Sequence, residues 1–368
     1  MQSREIPFLS LAPMQQQLQM ELMEFFQRCN QDAWFILGKQ LSSFESNYAA
    51  YSGVKYTVGV GNGFDALVIS LKALQIGPGD EVIVPANSFI ATISAVVQVG
   101  ATPILIDPNP TTYVIGKKEI APFITSKTKA IIPVHLFGNP CPMDEILQLA
   151  TEKQLFIIED NAQAHGATFQ NKKTGSFGHI NATSFYPVKP LGAMGDGGAI
   201  TTNDSSLAAF VQTYRNYGSA EKYLYEMHGV NSRLDEIQAG ILSIKLKYLD
   251  QWNKERAEQA LLYQKELKNI GDLRFQQITP EATSAYHIFT IQTEKRNELK
   301  TYLAKEGIQT MVHYPVPPFQ QQAYSSMIET RSTWKVTQDL AADLLSLPLY
   351  NGFTHQELVI EKIKKFYS

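Results

Sequence analysis

Three features of the 368-residue sequence predict an α/β fold built on a mainly parallel sheet flanked by helices. Short β-branched runs alternate with segments of helical period, several of these runs end abruptly in polar residues, and the texture changes near Asp250, where longer amphipathic stretches take over. The predicted strands cover residues 56–60, 81–85, 102–107, 130–135, 155–160, 182–186 and 198–202. Between them, Leu67, Leu71 and Leu74, or Ile146, Leu147 and Ala150, are spaced to give a helix one buried face. Open α/β sheets bind ligands beyond the carboxyl ends of their strands, so Asp160, Ser184 and the loop after Val60 are expected to meet in one crevice. Beyond Asp250 the spacing predicts a helix over 252–270, a strand over 285–292, helices over 296–306, 335–345 and 354–366, and a proline-rich loop over 313–318. This reads as a small C-terminal α+β domain, residues 251–368, packed on a large α/β domain, residues 1–250. The sequence contains no internal repeat and no low-complexity tract.

Composition excludes several classes of function. A net charge of -3 and a pI near 6.2 give no electrostatic basis for binding nucleic acid or an anionic membrane. No apolar run approaches the roughly 20 residues of a bilayer span, and residues 1–7, with Arg4 and Glu5, lack the apolar centre of a signal peptide. A cytoplasmic location is expected. Cys29 and Cys141 stand far apart and outside any Cys-x-x-Cys or histidine-rich setting, which suggests reduced packing residues and neither a disulfide nor a zinc site.

Candidate chemistry concentrates at three places. In Ser184-Phe-Tyr-Pro-Val-Lys-Pro-Leu-Gly-Ala-Met-Gly-Asp-Gly-Gly, a lone Lys189 follows an apolar run and meets dense glycine. A lysine amine attacks carbonyls when burial or a neighbouring cation lowers its pKa, while Gly192, Gly195, Gly197 and Gly198 let the backbone crowd a flat ligand. A surface lysine in a glycine loop is the other reading of the segment. Gly59-Val-Gly-Asn-Gly63 lacks the dinucleotide spacing, but the helix start Gly63-Phe64-Asp65-Ala66 offers free backbone N–H groups to a phosphate; a plain glycine turn remains the alternative. Asp160 closes the apolar run Leu155-Phe-Ile-Ile-Glu-Asp, where a carboxylate can hold a protonated pyridine nitrogen, cap a helix or ligate a metal. His165, just beyond, reads as a structural histidine before a metal ligand.

Taken in order, Phe35-Ile-Leu-Gly, Gly61-Asn-Gly, Gly79-Asp-Glu-Val-Ile-Val-Pro, Pro133-Val-His-Leu-Phe-Gly, Glu159-Asp-Asn-Ala-Gln-Ala-His-Gly, Ser184-Phe-Tyr-Pro-Val-Lys, Gly195-Asp-Gly-Gly-Ala and Asn231-Ser-Arg-Leu-Asp-Glu-Ile-Gln-Ala resemble the DegT/DnrJ/StrS family of pyridoxal-phosphate-dependent nucleotide-sugar aminotransferases. The resemblance spans nearly the whole chain and implies a fold type I transferase with a seven-stranded sheet. Arg215-Asn-Tyr-Gly-Ser, Val230-Asn-Ser-Arg-Leu-Asp-Glu and His313-Tyr-Pro-Val-Pro-Pro-Phe are most similar to the 3-aminotransferases of dTDP-3-amino-3,6-dideoxyhexose synthesis. Carried over by position, the resemblance implies that Lys189 links covalently to pyridoxal 5'-phosphate and, once freed, shuttles a proton. It implies that Asp160 pairs with the pyridinium nitrogen, that Phe89 in Ala86-Asn-Ser-Phe-Ile-Ala-Thr stacks on the ring, that Gln163 bonds the ring hydroxyl, and that Ser184 holds the phosphate beside Gly63 and Phe64. Phe89 also suits a core position at a helix start.

Asn231 is implied to reach the phosphate of a neighbouring subunit, giving a homodimer with composite sites; it also lies where a helix over 234–249 would be capped, with Ser232-Arg-Leu-Asp235 resembling a capping box. The implied substrates are L-glutamate and a dTDP-linked 3-keto-6-deoxyhexose, with Tyr217, Tyr223, His313 and Tyr314 lining the sugar-nucleotide cleft. A 4-keto sugar or cyclitol aminotransferase and a non-catalytic cofactor-binding regulator are the alternatives. Three positions depart from the family pattern: Phe64 for a common threonine, Val188 for a small residue, and Pro190 for asparagine. Pro190 steers Lys189 away from helical backbone. Lysine at 189 separates the chain from the family's dehydratases, which carry histidine there.

Overall fold

The computed structural model describes residues 5–324, 327–328 and 331–368. Of the N-terminal stretch 1–7, only residues 5–7 fall within it. Three helices, α1 (Ala12–Gln17), α2 (Gln19–Asp32) and α3 (Lys39–Ser52), precede the sheet. Then strands and helices alternate: β1 (Tyr56–Val60), α4 (Gly63–Ala73), β2 (Glu81–Pro85), α5 (Ile90–Gln98), β3 (Thr102–Ile106), β4 (Thr128–Ile131), α6 (Met143–Lys153), β5 (Phe156–Asp160), β6 (Ile180–Ser184), β7 (Gly198–Thr202) and α7 (Ser205–Tyr214). The sheet order is β1-β7-β6-β5-β4-β2-β3. The pairs β2–β3, β2–β4, β4–β5 and β5–β6 are parallel, whereas β6–β7 and β1–β7 are antiparallel. The seven strands and the mainly parallel sheet are thus as expected. Helices cover both faces, so the strands carry near-continuous apolar runs such as Val82, Ile83 and Val84, all fully buried.

Beyond α8 (Glu236–Leu246) and α9 (Leu249–Glu266), a three-stranded antiparallel sheet forms from β8 (Arg274–Phe275), β9 (Phe289–Gln292) and β10 (Leu344–Leu347), flanked by α10 (Arg296–Lys305), α11 (Lys335–Asp343) and α12 (Gln356–Tyr367). Tyr263, Phe289, Ile291, Leu299, Leu303, Leu345 and Val359 form its core, with Ile6 joining through a bridge to Ile308. Trp334, Leu340 and Leu344 instead pack into the core of the large sheet.

The structure corrects several predicted bounds. The fourth strand stops at Ile131, because Pro133 cannot donate to the ladder and the chain then turns at Phe137, whose φ of 62° is left-handed. Residues 285–288 are not strand: the N–H groups of Ala285 and His287 donate to the carbonyls of Gly138 and Phe137 at 3.1 and 2.9 Å. The leucine run near 344 leaves α11 and becomes β10, since a short apolar run suits either period. The helix expected over 234–249 is α8, broken before α9. Its N-cap is Asp235 without a side-chain bond, so the capping box does not form. Ser232 is used elsewhere: its hydroxyl accepts the Gly61 N–H at 2.9 Å and donates to the Asp65 carboxylate at 2.6 Å.

Candidate active site

The carboxyl ends of β5 and β6, the helix starts after β1 and β2, and the loop before β7 converge on one crevice. Asp160, the last residue of β5, is 6% exposed. Thr92, one turn into α5, donates its hydroxyl to Asp160 Oδ2 at 2.8 Å and is itself 2.8 Å from the Ser88 hydroxyl; the Ala162 N–H reaches Oδ1 at 3.2 Å. Burial pushes the Asp160 carboxyl above its ordinary value, and Thr92, Ala162 and the charge of Lys189 pull back only in part. A buried carboxylate held by neutral donors is a receptor for an N–H cation.

Lys189 lies half-buried on the loop between β6 and β7, and burial lowers its amine to about 8, against the opposing pull of Asp160. Three imidazoles feel its charge. Burial and the lysine charge drive His165 to about 3, His313 to about 4 and His287 well below the usual range, so all three are neutral near pH 7. Lys189 is thus half-buried and, among the described residues, in no salt bridge. His165 rests against Phe185, ring centroids 5.7 Å apart. Among the described residues no group of three or more His, Cys, Asp or Glu side chains is placed to hold a metal ion.

Phe89 is the N-cap of α5, 50% exposed, and so stands at the crevice wall and not in the core. Its ring lies 5.5 Å from that of Tyr314. Gln163 is buried with its amide orientation fixed: Oε1 accepts the Phe137 N–H at 2.6 Å, and Nε2 donates to the Tyr314 hydroxyl at 3.2 Å. His313 is anchored through Nδ1 to the Ser346 hydroxyl at 2.8 Å.

The third corner is the start of α4. Asn62 caps it by accepting the Asp65 N–H at 2.8 Å, leaving the earlier N–H groups free. A Cβ on Gly63 would fall 2.4 Å from Ser184 Cβ, so only glycine lets helix and strand end meet this closely. Phe64 turns its ring into the large core, and at that position only its backbone N–H is available to a ligand.

Asn231 is exposed, bridged through its backbone to Asn216. Tyr217 and Tyr223 share that loop with left-handed φ values of 60° and 70°, and are 50% and 74% exposed. No hydrogen bond or ring contact among the described residues joins either tyrosine to Lys189, Asp160, His313 or Tyr314. The crevice thus gathers Lys189, Asp160, Phe89, Gln163, Ser184, Gly63, His313 and Tyr314; Asn231, Tyr217 and Tyr223 lie on an exposed loop that meets the start of α4 through Ser232. Thr92, Ser88 and Phe137 escaped the sequence reading. Thr92 had a signal, three residues after Phe89 and so on its face of the helix; Phe137 had none, because its left-handed backbone is set by tertiary contacts.

The DegT/DnrJ/EryC1/StrS aminotransferase family model matches residues 16–364. The chain belongs to this family. It is 44% identical over 363 residues to the "dTDP-3-amino-3,6-dideoxy-alpha-D-galactopyranose transaminase" of Aneurinibacillus thermoaerophilus, covering 98% of this chain and 99% of that protein. Among solved structures, S. venezuelae DesV "in complex with ketimine intermediate" superposes with a TM-score of 0.97 at 38% identity, covering 99% of each chain. The ntda protein of Bacillus subtilis "with bound cofactor pmp" gives 0.91 at 32% identity, over 98% of this chain and 85% of that one. This DegT-family member is accordingly a pyridoxal-phosphate-dependent aminotransferase of the fold type I architecture.

Proposed function

We propose that this aminotransferase moves an amino group from L-glutamate to a dTDP-linked 3-keto-6-deoxyhexose, giving 2-oxoglutarate and a dTDP-3-amino-3,6-dideoxyhexose for surface-polysaccharide or natural-product sugars. The observation that carries the amino-transfer chemistry is the buried Asp160, in no salt bridge among the described residues, in one crevice with an amine lowered to about 8. The choice of a 3-keto sugar follows the name of the relative at 44% identity.

The donor set suits the cofactor. Asp160 would accept the proton of the ring nitrogen, with Thr92 keeping its other oxygen occupied. Phe89 would face the ring, Gln163 Nε2 would donate to the ring oxygen, and the free N–H groups of Gly63 and Phe64 with the Ser184 hydroxyl would hold the phosphate. Bound there, pyridoxal phosphate supplies the electron sink for both halves of the exchange. Lys189 would hold the cofactor covalently and then, as a free amine, carry the proton between donor carbon and cofactor carbon. Its lowered pKa leaves a usable fraction neutral near pH 7. His313 and Tyr314 would meet the sugar. Tyr217, Tyr223 and Asn231 would serve from their exposed loop, Asn231 on the phosphate of a second copy of the chain.

That second copy is favoured by a contiguous apolar strip: Trp34, Phe35, Ile36 and Leu37 are 64, 48, 38 and 39% exposed, a load unusual for a monomer's surface. Sedimentation is expected to give twice the chain mass, and a single-chain mass at working concentration would remove the shared site. The division into a large unit of residues 1–250 and a small one of 251–368, and a cytoplasmic location, belong to the same reading; no helix of the described residues is long and apolar enough to cross a membrane.

The deciding experiment is a single turnover. Holoenzyme converted to its amino form with L-glutamate, then freed of glutamate, is mixed with a dTDP-3-keto- or dTDP-4-keto-6-deoxyhexose. Return of the lysine-bound absorbance with the 3-keto sugar alone is expected. Return with the 4-keto sugar alone would overturn the regiochemistry. In the same assay H313A is expected to slow the sugar half-reaction about tenfold or more and leave the glutamate half nearly intact.

A further inference from the structure

The loop from Phe185 to Ala193 carries Lys189 midway, and one bond closes its neck: the Ala193 N–H donates to the Phe185 carbonyl at 2.7 Å. Inside it the Lys189 N–H donates to the Tyr186 carbonyl at 2.9 Å. A Cβ on Gly192 would lie 2.1 Å from the Pro187 carbonyl oxygen, so the chain passes itself there with room for no other residue. Helix α8 lies against this loop. Its Ala239 and Leu242 share an apolar cluster with Phe185, Leu191 and Ala193. Two of its polar side chains hold the outgoing backbone: Gln238 Oε1 accepts the Met194 N–H at 2.8 Å, and Lys245 Nζ donates to the Gly192 carbonyl at 2.7 Å. They stand seven residues apart (245 − 238 = 7), about two helical turns, and so project from one side.

Lys245 is 2% exposed, and no salt bridge among the described residues pairs its ammonium with a carboxylate. Burial lowers it to about 8. An ammonium covered this deeply gives up its hydration, and one charged hydrogen bond returns only part of that loss. Methionine, of similar length, would fill the same space without that cost. Stability therefore gives no account of a lysine at this position, whereas its grip on the loop that presents Lys189 does.

We propose that Lys245 is a positioning residue for Lys189: its ammonium pins the Gly192 carbonyl and thereby fixes where the loop presents the Lys189 amine to the aldehyde of pyridoxal phosphate. This rests on Lys189 being the residue that links to the cofactor. In the capture step the neutral amine adds to the aldehyde carbon. The carbonyl oxygen then leaves as water with the two protons of the nitrogen, and a C=N bond remains. Lys245 exchanges no atom in this step; it restricts how far the attacking nitrogen wanders.

The test is K245M, made with Lys189 intact and also together with K189A. Apoprotein is mixed with pyridoxal phosphate; total binding is read by fluorescence, and covalent capture by borohydride fixation and mass. With Lys189 intact, K245M is expected to slow capture about tenfold, the share of one charged hydrogen bond. With K189A, K245M is expected to leave affinity within about twofold, because the proposed ring and phosphate contacts lie outside the loop. Partial recovery of the capture rate in K245R would support the role of the cation. Capture at the parental rate in K245M would overturn the proposal, and so would an equal loss of affinity in both backgrounds, which marks a general disturbance of the fold. Should K245M not fold, Q238L loosens the same loop from the half-buried end of α8; slower capture is expected, and an unchanged rate overturns the proposal. Covalent capture persisting in K189A would overturn the role of Lys189 and, with it, that of Lys245.

Discussion

Replacing Lys189 by alanine is expected to abolish amino transfer, lowering kcat by about 10⁴-fold or more, while the protein stays folded and still binds the cofactor. The size reflects two losses in one residue, the covalent anchor and the proton carrier, the latter alone accounting for about 10²–10⁴-fold. Folding is spared because Lys189 makes no salt bridge among the described residues, and the loop's closing bonds are between backbone groups. The parent also carries a pH signature that K189A lacks. An amine titrating at about 8 is roughly one-tenth neutral at pH 7 and nine-tenths neutral at pH 9, so in K245M, which removes the second amine lowered to about 8, cofactor capture by apoprotein should rise about tenfold between them and then level. A variant that retained turnover, or a K245M profile flat across that window, would displace Lys189 from its role.

Replacing Glu159 by glutamine is expected to be the most damaging single change to stability near the site, at about 3–5 kcal/mol. Glu159 is fully buried beside Asp160, and its two oxygens take four donors. His135 Nε2 and the Gly175 N–H reach Oε2, each at 2.8 Å; the Phe177 and Gly178 N–H groups reach Oε1 at 2.6 and 2.9 Å. His135 Nδ1 accepts the Cys141 N–H, so its proton sits on Nε2 and points at the carboxylate. An amide in place of the carboxylate would turn an NH2 toward two of these donors. Burial alone would raise the Glu159 carboxyl, but the His135 bond and the backbone donors prevail and hold it below 4.5. Its contribution is therefore complete above that value and fades as the pH falls through the lower, folded one. Thermal melting should drop by about 5–10 °C in E159Q near pH 7, and the gap to the parent should narrow as the pH falls below 4.5 through the depressed folded pKa. A melting temperature within a degree or two of the parent at neutral pH would mean the donors re-pair without the charge.

Much of this was legible in the chain because the deciding signals are local. The sheet strands announce themselves as short apolar runs between turns, and Asp160 and Lys189 are polar residues where such runs stop. What the sequence concealed depends on contacts across the chain. Ser232 has the spacing of a capping residue, yet its hydroxyl goes to Gly61 and Asp65, about 170 residues away. The strand expected over 285–292 loses its first half to the turn at Phe137, and the leucines after α11 pair with β9 instead of prolonging a helix. Tyr217 and Tyr223 have the aromatic character of a sugar cleft, and their exposure and left-handed backbone are set by the fold of their loop rather than by any local pattern. Nothing in the sequence singles out Lys245; only the close packing of α8 shows where its charge is spent.

The edge strand β1 pairs only with β7, Val60 against Gly198, so the helix start at Gly63 and the strand end at Ser184 are brought together by the longest loop closure in the large sheet. Such distant pairings form late when a chain orders itself. A phosphate gripped from both sides would act as a stitch between an early and a late part of the polypeptide. Binding there would raise the cost of detaching the sheet's edge, so the loaded protein should hold that edge more firmly than the apoprotein.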